Sequence, residues 1–348
     1  MNRIPTFEQN RKRLIKKIIA VALLVVIGIV FIFAVRHAIN EYKEQKYLET
    51  YGQAAMEVGG HTVTYDVYRY FYLNYRDDYI KEYTIDGVTD TDALDAAVRA
   101  RVIEAIRGLY GTVSLAADYG ITTSDGDVIA AAETYIESMK NYYTENGGNY
   151  AADLERSYLT EHVFEFLMRI DALEDKLFDA LVASDGGIEN NDEKVLTVLL
   201  GDTFVRAKQI FIENDKGEDV EANRAIAVKA LEEYKGGESF DTLIGRYSED
   251  FTMPADGYYF TYAEMIDEFE RAAFALRDGE VSDVVESKDG FHIILRMPKD
   301  GAYITENFAD LKSQYQSATF YSMLESRANM LSAVESSYVR SLSYEEIK

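Results

Sequence analysis

The chain begins with a basic stretch followed by a long apolar run. Residues 18–35 form 18 successive uncharged, mostly aliphatic positions, and Lys16 and Lys17 precede them directly. A helix of this length is about 27 Å long, close to the roughly 30 Å hydrocarbon core of a bilayer. The pattern predicts a basic cytoplasmic tail over residues 1–17 and a transmembrane anchor over residues 18–36, with the remaining chain outside the cytoplasm. The alternatives are a cleaved signal peptide, although no small-x-small site follows cleanly, and a buried core helix.

After the anchor, the apolar positions follow helical spacing. Residues 37–55 are largely polar and predict a helical stalk. Between residues 56 and 200, apolar side chains recur at three- and four-residue intervals, as in the stripe formed by Leu94, Val98, Val102, Ile106 and Leu109. This spacing predicts a helical domain over residues 56–200. In its tyrosine-rich part, residues 65–83, the aromatic side chains fit either an amphipathic core or an exposed groove for unfolded peptides.

The spacing changes between residues 203 and 298. A strand is predicted where apolar or uncharged side chains recur at every second position, at Val205, Ala207, Gln209 and Phe211. Helical spacing follows over residues 222–234 and 240–247. Residues 291–297 are apolar almost throughout and predict a second strand at the centre of a sheet. Residues 305–336 then predict a long helix.

Composition excludes several classes of function. The 348 residues carry a net charge of −25, although the first 36 positions hold seven basic residues and one acidic residue. The acidic remainder would repel phosphate groups, so we expect no nucleic-acid partner. The absence of cysteine excludes disulfides, thiolate catalysis and lipid attachment through cysteine. The four histidines do not occur at metal-ligand spacing, so we expect no metal.

Three stretches carry motifs of one enzyme family in the correct order. They are VRAKQIFI at 205–212, ALEEYKGGESFDTLIGRYSED at 230–250 and FERAAFALRDGEVSDVVESKDGFHIILRM at 269–297. Together they resemble the parvulin-type (PpiC/rotamase) peptidyl-prolyl isomerases over residues 203–298. The resemblance implies a parvulin-like domain there, with a small antiparallel sheet and surrounding helices.

The flanking segments resemble a second feature of some parvulin proteins. VGGHTVTYDVYRYF at 58–71 and AADYGITTSDGDV at 116–128 are similar to the N-terminal helical domain of extracytoplasmic foldases and periplasmic chaperones. In those proteins the parvulin domain is inserted between helical segments. The resemblance therefore implies an α+β chain in which a C-terminal helix, within residues 299–348, packs on the helical domain of residues 56–200.

The chemistry implied by the resemblance is rotation of an X–Pro amide, whose uncatalysed barrier is roughly 18–20 kcal/mol. No bond breaks, so no cofactor is implied. The enzyme has to hold the proline ring in an apolar pocket and favour the twisted amide away from water. The polar set implied is His292, Asp250 and Gln209. The substrate-binding set implied is Met265, Phe269, Tyr259 and Phe291.

Two positions depart from the family pattern. Gln209 stands where active members usually have a first histidine, and glutamine forms hydrogen bonds but does not titrate. Residues 256–260 read Asp-Gly-Tyr-Tyr-Phe where the family has Gly-Gly-x-Leu-Gly. Both changes predict weak or absent catalysis. Taken singly, Met265 and Phe269 also fit core packing, and His292 also fits a core histidine held by a hydrogen bond.

Three functions follow from these patterns. The first is a membrane-anchored foldase that isomerises X–Pro bonds in exported polypeptides at the outer face of the plasma membrane. The second is a chaperone of parvulin fold that binds unfolded polypeptides without isomerising proline. The third is an assembly factor of an envelope complex, which uses its stalk and helices for partner contact. An assay of proline isomerisation separates the first function from the second.

Overall fold

The computed structural model describes residues 41–348 apart from residues 43, 82, 86, 184 and 215–218. The predicted anchor, residues 18–36, lies outside the described residues. No helix in the described part of the chain combines the length and apolar character needed to cross a membrane. The described chain divides into two compact units. Unit 1 contains the described residues up to Ile103, with Leu154–Val163 and Ser332–Lys348, and unit 2 contains Glu104–Asp153 and Phe164–Leu331.

The described chain alternates helices with short strands. The elements of the first half are α1 (44–51), β1 (Ala54–Val58), β2 (His61–Thr64), α2 (Tyr65–Tyr79), β3 (Thr84–Ile85), β4 (Val88–Thr89), α3 (Thr91–Asp118), α4 (Gly126–Glu145), α5 (Tyr150–Arg156) and α6 (Glu161–Val182). Those of the second half are α7 (Asp192–Leu200), β5 (Val205–Glu213), α8 (Val220–Lys235), α9 (Phe240–Tyr247), β6 (Tyr258–Phe260), α10 (Asp267–Ala275), β7 (Val285–Glu286), β8 (Gly290–Met297), α11 (Gly301–Glu306), α12 (Phe308–Met330), β9 (Ala333–Glu335) and α13 (Ser337–Ser341).

In unit 1, the two ends of the described chain meet in one sheet. Strand β1 pairs antiparallel with both β2 and β9, in the order β2-β1-β9. The predicted helix over residues 305–336 is therefore too long at its C-terminal end, because α12 ends at Met330 and residues 333–335 extend to pair with β1. Gly59 and Gly60 both have positive φ and form the turn between β1 and β2.

The tyrosines of α2 contribute to the core of unit 1. Tyr68 and Tyr72 are fully buried, and their hydroxyl groups donate hydrogen bonds to Glu335 and Asp95. Arg99 lies between these carboxylates, 2.7 Å from Asp95 and 3.4 Å from Glu335. Buried hydroxyl groups need such partners to offset lost hydration. At these two positions the amphipathic-core interpretation of the tyrosine pattern is confirmed.

The helices of unit 2 share an apolar cluster. Most of its buried members come from α3, α4, α6 and α12, among them Leu115, Val128, Leu173, Leu177, Phe320 and Leu324. The close approach of α3 and α12 depends on Gly111, because a Cβ atom there would lie 2.9 Å from the Cβ of Ala328. Helix α3 ends at Asp118, and Gly120, with a φ of 70°, lies just after it as a helix-ending glycine.

Unit 2 also contains a four-stranded antiparallel sheet in the order β6-β5-β8-β7. Strand β8 lies in the middle of the sheet, as its apolar sequence predicted. Helices α8 and α9 cover one face, where Ile210, Ile212, Phe291 and Ile293 are buried. Helix α10 covers part of the other face, over Val205, Ala207 and Ile294. Neighbouring residues of a strand point to opposite faces, so this alternation decides which side chains reach each face.

Candidate functional site

An open cleft of about 380 Å³ lies on the α10 face of the sheet, beyond the part that α10 covers. Gln209 and Phe211 point to this face because they continue the alternation that begins at Val205 and Ala207. His292 lies opposite Phe211 in the β5–β8 register and therefore shares the face. The cleft is lined by Gln209, Phe211, Glu213, Glu249, Asp250, Phe251, Thr252, Tyr258, Asp289 and His292.

A chain of hydrogen bonds runs through the polar side of the cleft. The Gln209 amide Nε2 donates to Oδ2 of Asp250 at 2.6 Å. Its Oε1 therefore faces the imidazole, where it accepts from Nδ1 of His292 at 2.8 Å. Since Nδ1 carries the proton, Nε2 of His292 accepts from the Ser287 hydroxyl at 2.9 Å. The structure thus brings the three predicted polar residues together in one network.

His292 is a neutral, buried imidazole. Burial lowers its pKa to about 4, even though the charges of Asp289, Glu268 and Asp250 act in the opposite direction. The ring stacks on Phe211 with centroids 4.7 Å apart, and Phe269 meets its edge at 6.0 Å. Close aromatic neighbours remove water from a charged ring, which disfavours the protonated form.

Asp250 is held as a carboxylate by neutral donors. Its own burial would raise its pKa, but hydrogen bonds from Gln209, Tyr258 and Thr252 bring the pKa below the ordinary value. The Tyr258 hydroxyl lies 2.9 Å from Oδ2 and 3.1 Å from Oδ1. The Thr252 hydroxyl donates to Oδ1 at 2.9 Å. Hydrogen bonds to the charged form of a carboxyl group favour that form.

The apolar side of the site is formed around α10. Phe269 is buried and packs against Phe260, with ring centroids 5.7 Å apart. Met265 is partly buried against the same cluster. Since Phe269 also contacts His292, the apolar wall adjoins the polar network. Phe269 thus joins the α10 cluster to His292, and Met265 packs in the same cluster, while neither side chain is among the residues that line the cleft.

Two predicted substrate-binding residues lie elsewhere. Tyr259 points away from the cleft, stacks on Tyr303 with centroids 4.6 Å apart, and accepts a hydrogen bond from the backbone N–H of Asp300 at 3.2 Å. Phe291 belongs to the apolar cluster beneath α8 and α9. Each is one residue away from a side chain that does line the cleft, so strand alternation sends it to the opposite face. This corrects both assignments.

Sequence reasoning missed Tyr258, Thr252 and Phe211 as cleft residues, and Ser287 as the hydrogen-bond partner of His292. A signal for Phe211 was available, because it alternates with Gln209 along β5. Ser287 comes five residues before His292, across the β7–β8 turn, and its pairing with the imidazole requires the register of that hairpin. Residues 258 and 259 are both tyrosine, so the sequence does not tell which of them faces the cleft.

The sequence of this domain matches a known protein family. Residues 206–297 match the family model described as "Rotamase: PPIC-type PPIASE domain". The chain therefore contains a parvulin-type domain, as its motifs predicted.

Similar proteins include two named foldases. "Foldase protein PrsA 1" of Bacillus cereus is 44% identical over 75 residues, which cover 21% of this chain and 26% of that protein. "Foldase protein PrsA" of Oceanobacillus iheyensis is 30% identical over 165 residues, covering 47% of this chain and 50% of that protein. The chain thus spans about half or less of the length of these relatives. Among solved structures, peptidylprolyl isomerase (PrsA) from Bacillus anthracis is similar to this chain. The match covers 65% of this chain and 96% of the B. anthracis chain, with 20% identity and a TM-score of 0.36.

Proposed function

We propose that this chain is a foldase that catalyses cis–trans isomerisation of X–Pro bonds in exported polypeptides. The observation that carries the proposal is the network Asp250–Gln209–His292, which Phe269 joins to the apolar cluster that also contains Met265. An isomerase site needs this combination of a proline pocket and fixed polar groups. The relatives named as foldases support the same assignment.

The proposed mechanism uses no bond cleavage and no cofactor. The proline ring enters the apolar pocket at Met265 and Phe269, which removes water from the amide. A carbonyl without water keeps less of the resonance that makes the amide planar, so the twisted state becomes relatively more favourable. His292 and Gln209 present oriented dipoles beside the rotating amide at no cost of reorganisation. Neither residue has to transfer a proton.

The proposed location is the outer side of the plasma membrane. The support is the apolar run at residues 18–35 with its basic flank, which predicts a single-pass anchor with a cytoplasmic N-terminus. In this arrangement residues 56–200 and 203–298 act outside the cytoplasm as the chaperone-like and isomerase domains. The acidic charge of the exported part keeps it away from anionic lipid headgroups.

The second candidate function is peptide binding without catalysis. Gln209, a residue that cannot titrate, favours it because active family members usually carry histidine at that position. The same cleft would then bind proline-containing segments of unfolded chains and release them unchanged. This candidate predicts suppression of client aggregation with no change in isomerisation rate.

The deciding experiment measures the cis-to-trans rate of an Ala–Pro peptide with the full chain in detergent or nanodiscs. We expect acceleration by the wild type and at least tenfold loss in the double variant Met265→Ala, His292→Ala. The matched control is His61→Ala, Met330→Ala, which makes the same two changes at exposed positions. Absence of acceleration by a folded wild-type sample would overturn the enzyme proposal in favour of peptide binding.

A further inference from the structure

A tyrosine hydroxyl occupies the cleft next to the polar network. Tyr258 lies in β6 opposite Ala207 of β5, so it is diagonal to Gln209 on the same face of the sheet. Its hydroxyl lies within 3.1 Å of both oxygens of Asp250. Tyr258 and Gln209 therefore reach the same carboxylate from neighbouring strands.

Asp250 depends on these donors because no lysine or arginine of the described chain forms an ion pair with it. The backbone N–H and hydroxyl of Thr252 both bond to Oδ1, at 3.2 and 2.9 Å. Gln209 bonds to Oδ2, and Tyr258 spans the two oxygens. Thr252 belongs to the same turn as Asp250, so Gln209 and Tyr258 are the side chains of the sheet that bond to the Asp250 carboxylate.

The orientation of Gln209 in turn depends on Asp250. A side-chain amide can rotate by half a turn, which exchanges its oxygen and its NH2 group at nearly the same positions. An anionic acceptor at Asp250 requires the NH2 group on its side, so the oxygen must face His292. A rotated amide would present an N–H to the imidazole and would force the proton of His292 onto Nε2. A histidine at position 209 would have no amide to rotate.

We propose that Tyr258 is a positioning residue of this cleft: by holding the Asp250 carboxylate against Gln209, it fixes the Gln209 amide and, through it, the Nδ1–H form of His292. Its consequence for catalysis rests on the isomerase function proposed above. The lowered pKa of Asp250 agrees with this role, because the carboxylate stays charged in spite of its burial. The other ionisable groups that face the cleft are Glu213, Glu249, Asp289 and His292.

The test compares Tyr258→Phe with Tyr259→Phe in the full chain. Both variants lose one hydroxyl, but that of Tyr259 lies on the opposite face of the same strand, against Asp300. The first readout is the pair of imidazole 15N chemical shifts of His292, assigned by their loss in His292→Ala. We expect the wild type and Tyr259→Phe to show the Nδ1–H form. In Tyr258→Phe we expect a mixture of the two neutral forms at acid pH, where more of the Asp250 carboxyl is protonated than in the wild type, and the Nδ1–H form again as the pH rises.

The second readout is kcat/KM against pH with an Ala–Pro peptide. Loss of one hydrogen bond to a carboxylate raises its pKa, so Tyr258→Phe should lose about three- to tenfold in kcat/KM at acid pH and recover as the pH rises. A role limited to packing would lower the rate equally at every pH. Unchanged 15N shifts in Tyr258→Phe, or an equal change in Tyr259→Phe, would overturn the proposal. If the wild type has no isomerase activity, the function fails while the 15N shifts still decide the role of Tyr258.

Discussion

The side-chain oxygen of Gln209 accepts a hydrogen bond from Nδ1 of His292 at 2.8 Å, across the two central strands of the sheet. The two residues form a diagonal cross-strand pair, so the strand register alone brings them into contact. Glutamine keeps one acceptor for the imidazole and one donor for Asp250. A residue that does not titrate thus preserves the connectivity of the polar network.

A carboxylate in place of this amide should break the network. In Gln209→Glu two carboxylates would lie at about hydrogen-bond distance, and like charges so close do not both ionise without a large cost. We expect kcat/KM to fall at least tenfold near pH 7 and the free energy of unfolding to fall by about 1–3 kcal/mol. Gln209→His is the control, and it should retain activity because it supplies the family's usual pair. Wild-type activity in Gln209→Glu would contradict the proposed network.

The buried imidazole predicts a specific loss of stability in acid. His292 has a pKa of about 4 in the folded chain, whereas an unfolded histidine titrates near 6.5. The unfolded state therefore binds more protons below pH 6.5, and stability falls as the pH decreases from 6.5 towards 4. The contribution is on the order of 3 kcal/mol at most.

Denaturation of the wild type and of His292→Gln at pH 7 and pH 4.5 measures this term as a difference. Glutamine removes the titrating group while it keeps a hydrogen-bonding side chain. We expect the wild type to lose more stability than the variant between the two pH values. Equal losses would show that His292 is not held in a neutral, buried form.

Substitution of Met265 tests whether this side chain belongs to a binding pocket or only to the core. Because it is only partly buried against the α10 cluster, Met265→Ala should cost no more than about 2 kcal/mol of folding free energy. As part of a proline pocket, it should also raise KM for Ala–Pro peptides several-fold. Phe269→Ala, at a fully buried position, should cost about 3–5 kcal/mol. An unchanged KM in a stable Met265→Ala protein would show that Met265 only packs in the core and does not bind substrate.

Two glycines of α3 predict opposite effects of the same substitution. At Gly111 a new Cβ would approach the Ala328 Cβ to 2.9 Å, so Gly111→Ala should destabilise unit 2 by about 1–3 kcal/mol. At Gly108 nothing lies within 4 Å of the new atom, so Gly108→Ala should stabilise the helix by up to about 1 kcal/mol. Thermal unfolding of both variants checks the pair. Equal shifts of Tm would show that α3 and α12 do not pack through Gly111.

The sequence predicts the parvulin-type domain well because its signals are local and ordered. Strands β5 and β8 and helices α8 and α9 occur where spacing and motif placed them. The same motifs located Gln209, Asp250 and His292, which the structure joins by hydrogen bonds. Gln209 and His292 lie on adjacent strands, and Asp250 lies in the turn after α9, so all three are carried by segments that the motifs had already identified.

The two wrong substrate-binding assignments, Tyr259 and Phe291, arise where neighbouring residues of a strand have similar side chains on both faces of the sheet. Tyr258 and Tyr259 are identical, and Phe291 sits in an apolar run, so no change of polarity marks the cleft side. An assignment that is wrong by one residue places the side chain on the opposite face of the sheet. Hydrogen-bond partners that are distant in sequence could not be predicted either. Tyr68, for example, bonds to Glu335, 267 residues away. Such a contact depends on the complete fold and leaves no periodic signal.

The pairing of β1 with β9 also sets an order of events. Met56 lies opposite Glu335, so the sheet of unit 1 lacks its third strand until residue 335 has been made. The residues of unit 2 come between the two strands in sequence, so they are made before β9 is available to pair with β1. Closing so long a loop is slow, and an unpaired strand edge is prone to wrong pairing in the meantime. The protein proposed to assist the folding of other chains is thus itself exposed to misfolding during its synthesis, between the formation of β1 and that of β9.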